Sequence, residues 1–156
     1  TRGNLGTEHN NDWNKSIAIY LTERGSNLYS VFQEDLSTVQ LTEYSDKINI
    51  SHLFPKMGYG PELRKGIEKF KKVWEASGES VAVYQSSSSG ANQYALVTRY
   101  KQGLKERASG FRKPMKERYE ATNGEDSWDD YFDMLKTCVD KAWSELLFYR
   151  ADLSSK

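Results

Sequence analysis

The chain of 156 residues carries 22 Lys and Arg against 22 Asp and Glu; 37% of it is hydrophobic and 13% aromatic. A formal charge of zero excludes a protein given over as a whole to nucleic acid or to an anionic membrane, while the aromatic content supplies bulk enough for a core. The single cysteine, Cys138, excludes an internal disulfide and a thiolate metal cluster, and His9 and His52 are too few for a histidine metal site. Neither a metal nor a cofactor is therefore expected. No apolar run approaches the roughly 18 residues of a membrane span, and the first residues have no apolar signal core. A soluble protein, cytoplasmic or processed after export, is the expectation. Nucleotide loops, nucleophile elbows and metalloprotease motifs are absent from the sequence.

In chain order, Trp13, Ile17, Tyr20 and Leu21 keep helical spacing from Asp12 until Gly25, and residues 28–32 read as a strand. Residues 1–46 thus predict a helix-strand arm. Its Asp-Trp start, its short strand and Asp35-Leu-Ser37 echo the C-terminal Asp-Ser-Trp, strand and Asp152-Leu-Ser154, a weak internal repeat. The arm either packs on a sheet edge or is the end of a preceding similar module. Residues 47–54 alternate as a strand, with Ile48, Ile50, His52 and Phe54 on one face, and stop at Pro55. Over residues 61–76, Leu63, Ile67, Phe70, Val73 and Trp74 form one helical stripe, with Pro61 at the start and Gly78 beyond the end. Strands over 80–86 and 93–100 flank a Ser-rich hairpin turn, most simply a flexible tip. After an irregular, partly helical stretch, Trp128, Tyr131, Phe132, Leu135, Val139, Ala142 and Trp143 predict a helix over 127–142, with Ser127 and Asp130 as a capping box. Residues 145–150 form the last strand. Trp13, Trp74, Trp128 and Trp143 all fall on helical apolar faces in this reading.

From residue 47 the order is β-α-β-β-α-β, a ferredoxin-like α+β module over 47–156 with both helices on one sheet face. The run Leu53-Phe-Pro-Lys-Met-Gly58 before a helix ending Val73-Trp74, the strand pair Val81-Ala-Val-Tyr84 and Tyr94-Ala-Leu-Val-Thr-Arg-Tyr100, and the close Ala142-Trp-Ser-Glu-Leu-Leu-Phe-Tyr149 resemble the dimeric α+β barrel superfamily. The resemblance covers about two-thirds of the chain. It implies two sheets paired face to face into a barrel, in a homodimer or as an intrachain pseudo-dimer. The superfamily includes cofactor-less monooxygenases, haem-handling enzymes, isomerases and proteins of unknown activity, and no catalytic motif of these branches is matched here residue by residue.

Three side chains are candidates for a ligand site between such sheets. His52, late in the first strand, can serve as a base or a ligand anchor, or simply as a hydrogen-bonded structural histidine. Tyr84 and Arg99 can hold a carboxylate or phenolate; alternation allows either Arg99 with Val97 and Ala95, or Tyr94 with Tyr100, to face inward. Residues 99–118 hold eight Lys and Arg against two Glu, and residues 119–133 hold six acids and no base. The basic run suits phosphates or RNA, but without an RNA-binding signature its charges are better answered by the acidic helix start that follows, so nucleic acid is not an expected partner. Cys138, beside an apolar stripe, reads as a buried inert thiol. The expectation is a barrel protein binding a small aromatic or acidic ligand between two sheets. The alternatives are a monooxygenase-like enzyme and an interaction module using the open sheet face.

Overall fold

The computed structural model describes residues 11, 12, 14–16, 19, 28–39, 45–88 and 90–153. The helix read between Asp12 and Gly25 lies mostly outside them. Five antiparallel strands form one sheet: β1 Ser30–Phe32, β2 Lys47–Pro55, β3 Ser80–Ser86, β4 Tyr94–Arg99 and β5 Val139–Phe148, in the order β1-β3-β4-β2-β5. Helix α1, Gly60–Ala76, links β2 to β3; α2, Met115–Asn123, and α3, Ser127–Cys138, lie between β4 and β5. From β2 onward this is the β-α-β-β-α-β order, with α2 as an additional helix and β1 as a fifth strand. Among the described residues, no helix is long and apolar enough to cross a membrane.

Pairing fixes which side chains share a face. Val81, Val83, Tyr94, Leu96 and Leu53 lie on one side through the pairs Val83↔Leu96, Ser51↔Leu96 and Leu53↔Tyr94. Leu63, Ile67 and Trp74 of α1 cover them, Phe70 and Leu135 packing around, so the helices form one layer. Phe70, Tyr119, Trp128 and Tyr131 fill the space between the helices, and Gly66 leaves room for the methyl of Met134 on α3. Burial pushes the phenol of Tyr131 well above its ordinary range. At Gly78 the left-handed φ of 64° turns the chain out of α1 into β3, a conformation a side chain resists.

β3 is the most buried strand, with Val81, Ala82 and Val83 at 1% exposure or less. Its outer backbone groups need partners, and the segment after β1 supplies them. Gln33 N–H donates to the Val83 carbonyl at 2.8 Å and Thr38 N–H to that of Val81 at 2.9 Å. The Ser37 and Thr38 hydroxyls accept from the N–H groups of Val83 and Val81, each at 2.9 Å. Leu36, fully buried, drives this segment into the core, and Arg64 of α1 binds Gln33 and Asp35.

Two expectations are corrected. The last helix ends at Cys138 and β5 begins at Val139, so Ala142 and Trp143 are strand residues. Pairing decides this: Leu53↔Ala142 and His52↔Trp143 extend the ladder with β2. The register shifts between Phe54 and Pro55, where proline has no N–H to give. The capping box does not form either: Asp126 precedes α3 in a left-handed conformation without a side-chain cap, and the buried Ser127 hydroxyl has no hydrogen-bond partner among the described residues.

Leu36→Ala should cost about 2–5 kcal/mol in urea unfolding, because it empties a core position; a change near zero would mean that the 30–38 segment is not part of the core. The Tyr119 hydroxyl is fully buried with no hydrogen-bond partner among the described residues. Tyr119→Phe should therefore be neutral or raise stability by up to about 1–3 kcal/mol, read by the same unfolding curve.

Candidate functional site

The opposite face of the sheet carries no helix of the described layer. One row of side chains crosses all five strands on it: Phe32, Tyr84, Ala95, His52 and Trp143, set by Phe32↔Tyr84, Tyr84↔Ala95, His52↔Ala95 and His52↔Trp143. Behind it follow Ala82, Val97, Ile50 and Glu145, then Ser80, Arg99, Ile48 and Leu147. The register thus settles the alternation: Arg99 shares its face with Val97 and Ala95, and Tyr94 packs beneath the helices.

Small residues between large ones shape this surface. The small side chain of Ala95 leaves a low line, or trough, between the larger side chains of its row, and Ala82 beside it is fully buried. One wall is Tyr84 packed on Phe32 at 5.6 Å between ring centroids. The other is His52 stacked on Trp143 at 4.1 Å and 12°. Trp143 and Leu147 remain 44% and 41% exposed, large apolar groups left facing outward.

His52 is held from both ends. Its Nδ1 lies 3.0 Å from Gln93 Oε1, and its Nε2 lies 3.2 Å from Glu145 Oε1. A neutral ring donates to only one of these oxygens, whereas a protonated ring donates to both. The Glu145 carboxylate, 38% exposed, is the ionisable group beside the trough, while Gln93 is buried. His52 and Tyr84 therefore flank one trough. Arg99 stands on the same face four residues along β4 from Ala95, about 13 Å away at 3.3 Å per residue. It is buried and engaged rather than free, so it does not converge with the other two on one small group.

Trp143, Glu145 and Gln93 complete the site, and sequence reading missed all three. Alternation of Trp143, Glu145 and Leu147 was the available signal, hidden because Trp143 also continued a helical stripe. Among the described residues, the acidic run that follows answers the basic run only at Lys116, through Glu120. Arg112 pairs with Glu106, Lys113 with Glu117, Lys116 with Glu120 and Arg118 with Glu79, and none of these partners lies in α3.

Cys138 closes α3 at 3% exposure, and burial, reinforced by Glu62, pushes its thiol above the ordinary range. A raised thiol holds less thiolate at any given pH below its own pKa, so Ellman's reagent at pH 8 should label Cys138 slowly in the folded protein and rapidly in denaturant. Fast labelling of the folded chain would contradict the buried placement.

No family model and no curated protein matches the chain. Its fold is similar to the crystal structure of an uncharacterised NIPSNAP domain protein from Burkholderia xenovorans, at 12% identity and a TM-score of 0.42, covering 70% of this chain and 99% of that one. A likeness at this level says nothing of activity.

Proposed function

We propose that the protein binds a small aromatic or acidic molecule in the trough of its open sheet face, with the sheet of a second copy closing over it. The observation that carries this reading is the single row of Tyr84, Ala95, His52 and Trp143, two aromatic walls around a floor of small residues. A planar ring fits between such walls by stacking, and apolar clefts with few polar groups are the usual form of small-ligand sites. The acidic part of the ligand falls to the Tyr84 hydroxyl.

Both ring nitrogens of His52 already have oxygen neighbours, which favours a holding role over proton transfer. The second sheet follows from the apolar content of the face: Ile48, Ile50, Val97, Trp143 and Leu147 surround the trough, and a facing sheet would remove them from water.

A thermal-shift screen with small aromatic acids and haem tests the reading. The expected result is a melting temperature raised by a few degrees for at least one compound, as ligand binding to the folded state requires. The rise should be lost in Trp143→Ala, while Leu147→Glu should convert a dimer to a monomer in sedimentation. No shift with any compound, for a chain that sediments as a dimer, would sink the ligand reading and leave the face as a protein interface.

A further inference from the structure

On the helix side of the sheet, away from the trough, the basic run folds around a second feature. The 3-10 turn Gly103–Arg107, the loop after it and the start of α2 border a cleft of about 690 Å³. Its floor includes Thr98 and Tyr100, and Thr98 lies on the covered face through its pairs with Asn49 and Val81. Four cations line it, Arg107, Arg112, Lys113 and Arg118, against the carboxylates of Glu79 and Glu106.

Both carboxylates are already neutralised from within. Arg118 pairs with Glu79 and also donates to Ser77 Oγ at 3.1 Å and to the Lys113 carbonyl at 3.0 Å. Arg112 pairs with Glu106, donates to its carbonyl at 3.2 Å, and lies 4.9 Å over the Phe111 ring. Glu106 in turn accepts from the N–H of Gln102 at 2.6 Å. These two pairs build rigid walls, and the surplus positive charge rests on Arg107 and Lys113. Lys113 pairs with the exposed Glu117, which lies outside the lining. Arg107 is exposed and has no hydrogen bond or ion pair among the described residues.

The nine-residue α2 starts at the same rim. Pro114 precedes it without a side-chain cap and lines the same rim beside Lys113. The exposed Arg107, Lys113 with its partner Glu117 outside the lining, and the hydroxyls of Thr98 and Ser109 around one concavity are the parts of an anion site.

We infer that this cleft binds a small phosphate-bearing molecule. Its volume lies in the range of small-ligand sites, roughly 300–1,000 Å³. Its cations gather around a hollow instead of forming the extended stripe that tracks a nucleic-acid backbone. The inference does not depend on the reading of the open sheet face.

Calorimetric titration of the full chain with sodium pyrophosphate at constant ionic strength tests it, alongside Arg107→Ala and the double variant Arg107→Ala/Lys113→Ala. Both side chains are exposed, so the variants should keep the parent melting temperature. Saturable binding at about 1 mM or tighter is expected, weakened about tenfold by Arg107→Ala and further in the double variant, as loss of a charge-assisted contact implies. Absence of saturable heat up to about 10 mM, or equal affinity in both variants, would overturn the inference. A labelled single-stranded RNA that binds more tightly than pyrophosphate and loses affinity in the same variants would also overturn it, in favour of nucleic acid.

Discussion

The architecture depends on how the backbone of β3 is satisfied. Val81 and Val83 lie at 1% exposure or less, and a strand so buried must have its donors and acceptors bonded on both edges. β4 serves one edge along the whole strand. The other is served first by β1 and then, where the chain is no longer a strand, by main chain and hydroxyls from Gln33 to Thr38. Ser37 and Thr38 act as donors as well, Ser37 Oγ to the Gln33 carbonyl at 2.6 Å and Thr38 Oγ1 to that of Glu79 at 2.7 Å. With that edge closed, Leu36 sits under α1 and the helical layer can settle on the Val81, Val83, Tyr94 and Leu96 side.

Once the helices occupy that side, the opposite face is defined by elimination, and it is not a polar face. An antiparallel sheet with one wet side normally alternates apolar and polar residues. Here both alternations are largely apolar, and the outer one concentrates its aromatics in a single row. The polar groups in and beside that row are tied to one another, His52 to Gln93 and Glu145, so they cost little to cover. The basic cleft, by contrast, sits on the helix side behind the sheet, so the molecule carries two chemically unlike surfaces separated by one layer of strands.

Much of the architecture was legible in local patterning. The stripe of α1 has a proline at its start and a left-handed glycine beyond its end, and β2 through β4 are rich in β-branched and aromatic residues. The border between α3 and β5 was not legible, because Val139, Ala142 and Trp143 continue the helical period of α3 while Trp143, Glu145 and Leu147 set up an alternating one. Only the ladder with β2 distinguishes them. The face of Arg99 was undecidable for a related reason: one strand has two sides, and only its register against Ile48 and Ser80 assigns them. Of the candidate site, His52 and Tyr84 were visible as residues, but Glu145 lies 93 positions from His52 in the chain. No spacing rule connects such a pair. The cleft was half legible: the charge run announced itself, whereas its curvature around α2 depends on where Glu79 and Glu106 anchor the arginines.

β5 ends the sheet, and among the described residues no strand pairs with its outer edge. It is ten residues long and rich in Trp, Leu and Phe, the composition that invites edge-on growth into fibrils. Asp140, Lys141 and Glu145 interrupt that composition on the outermost strand. A growing stack of such strands would bring like charges into line at every layer. The charges at these three positions therefore oppose edge-on stacking of β5.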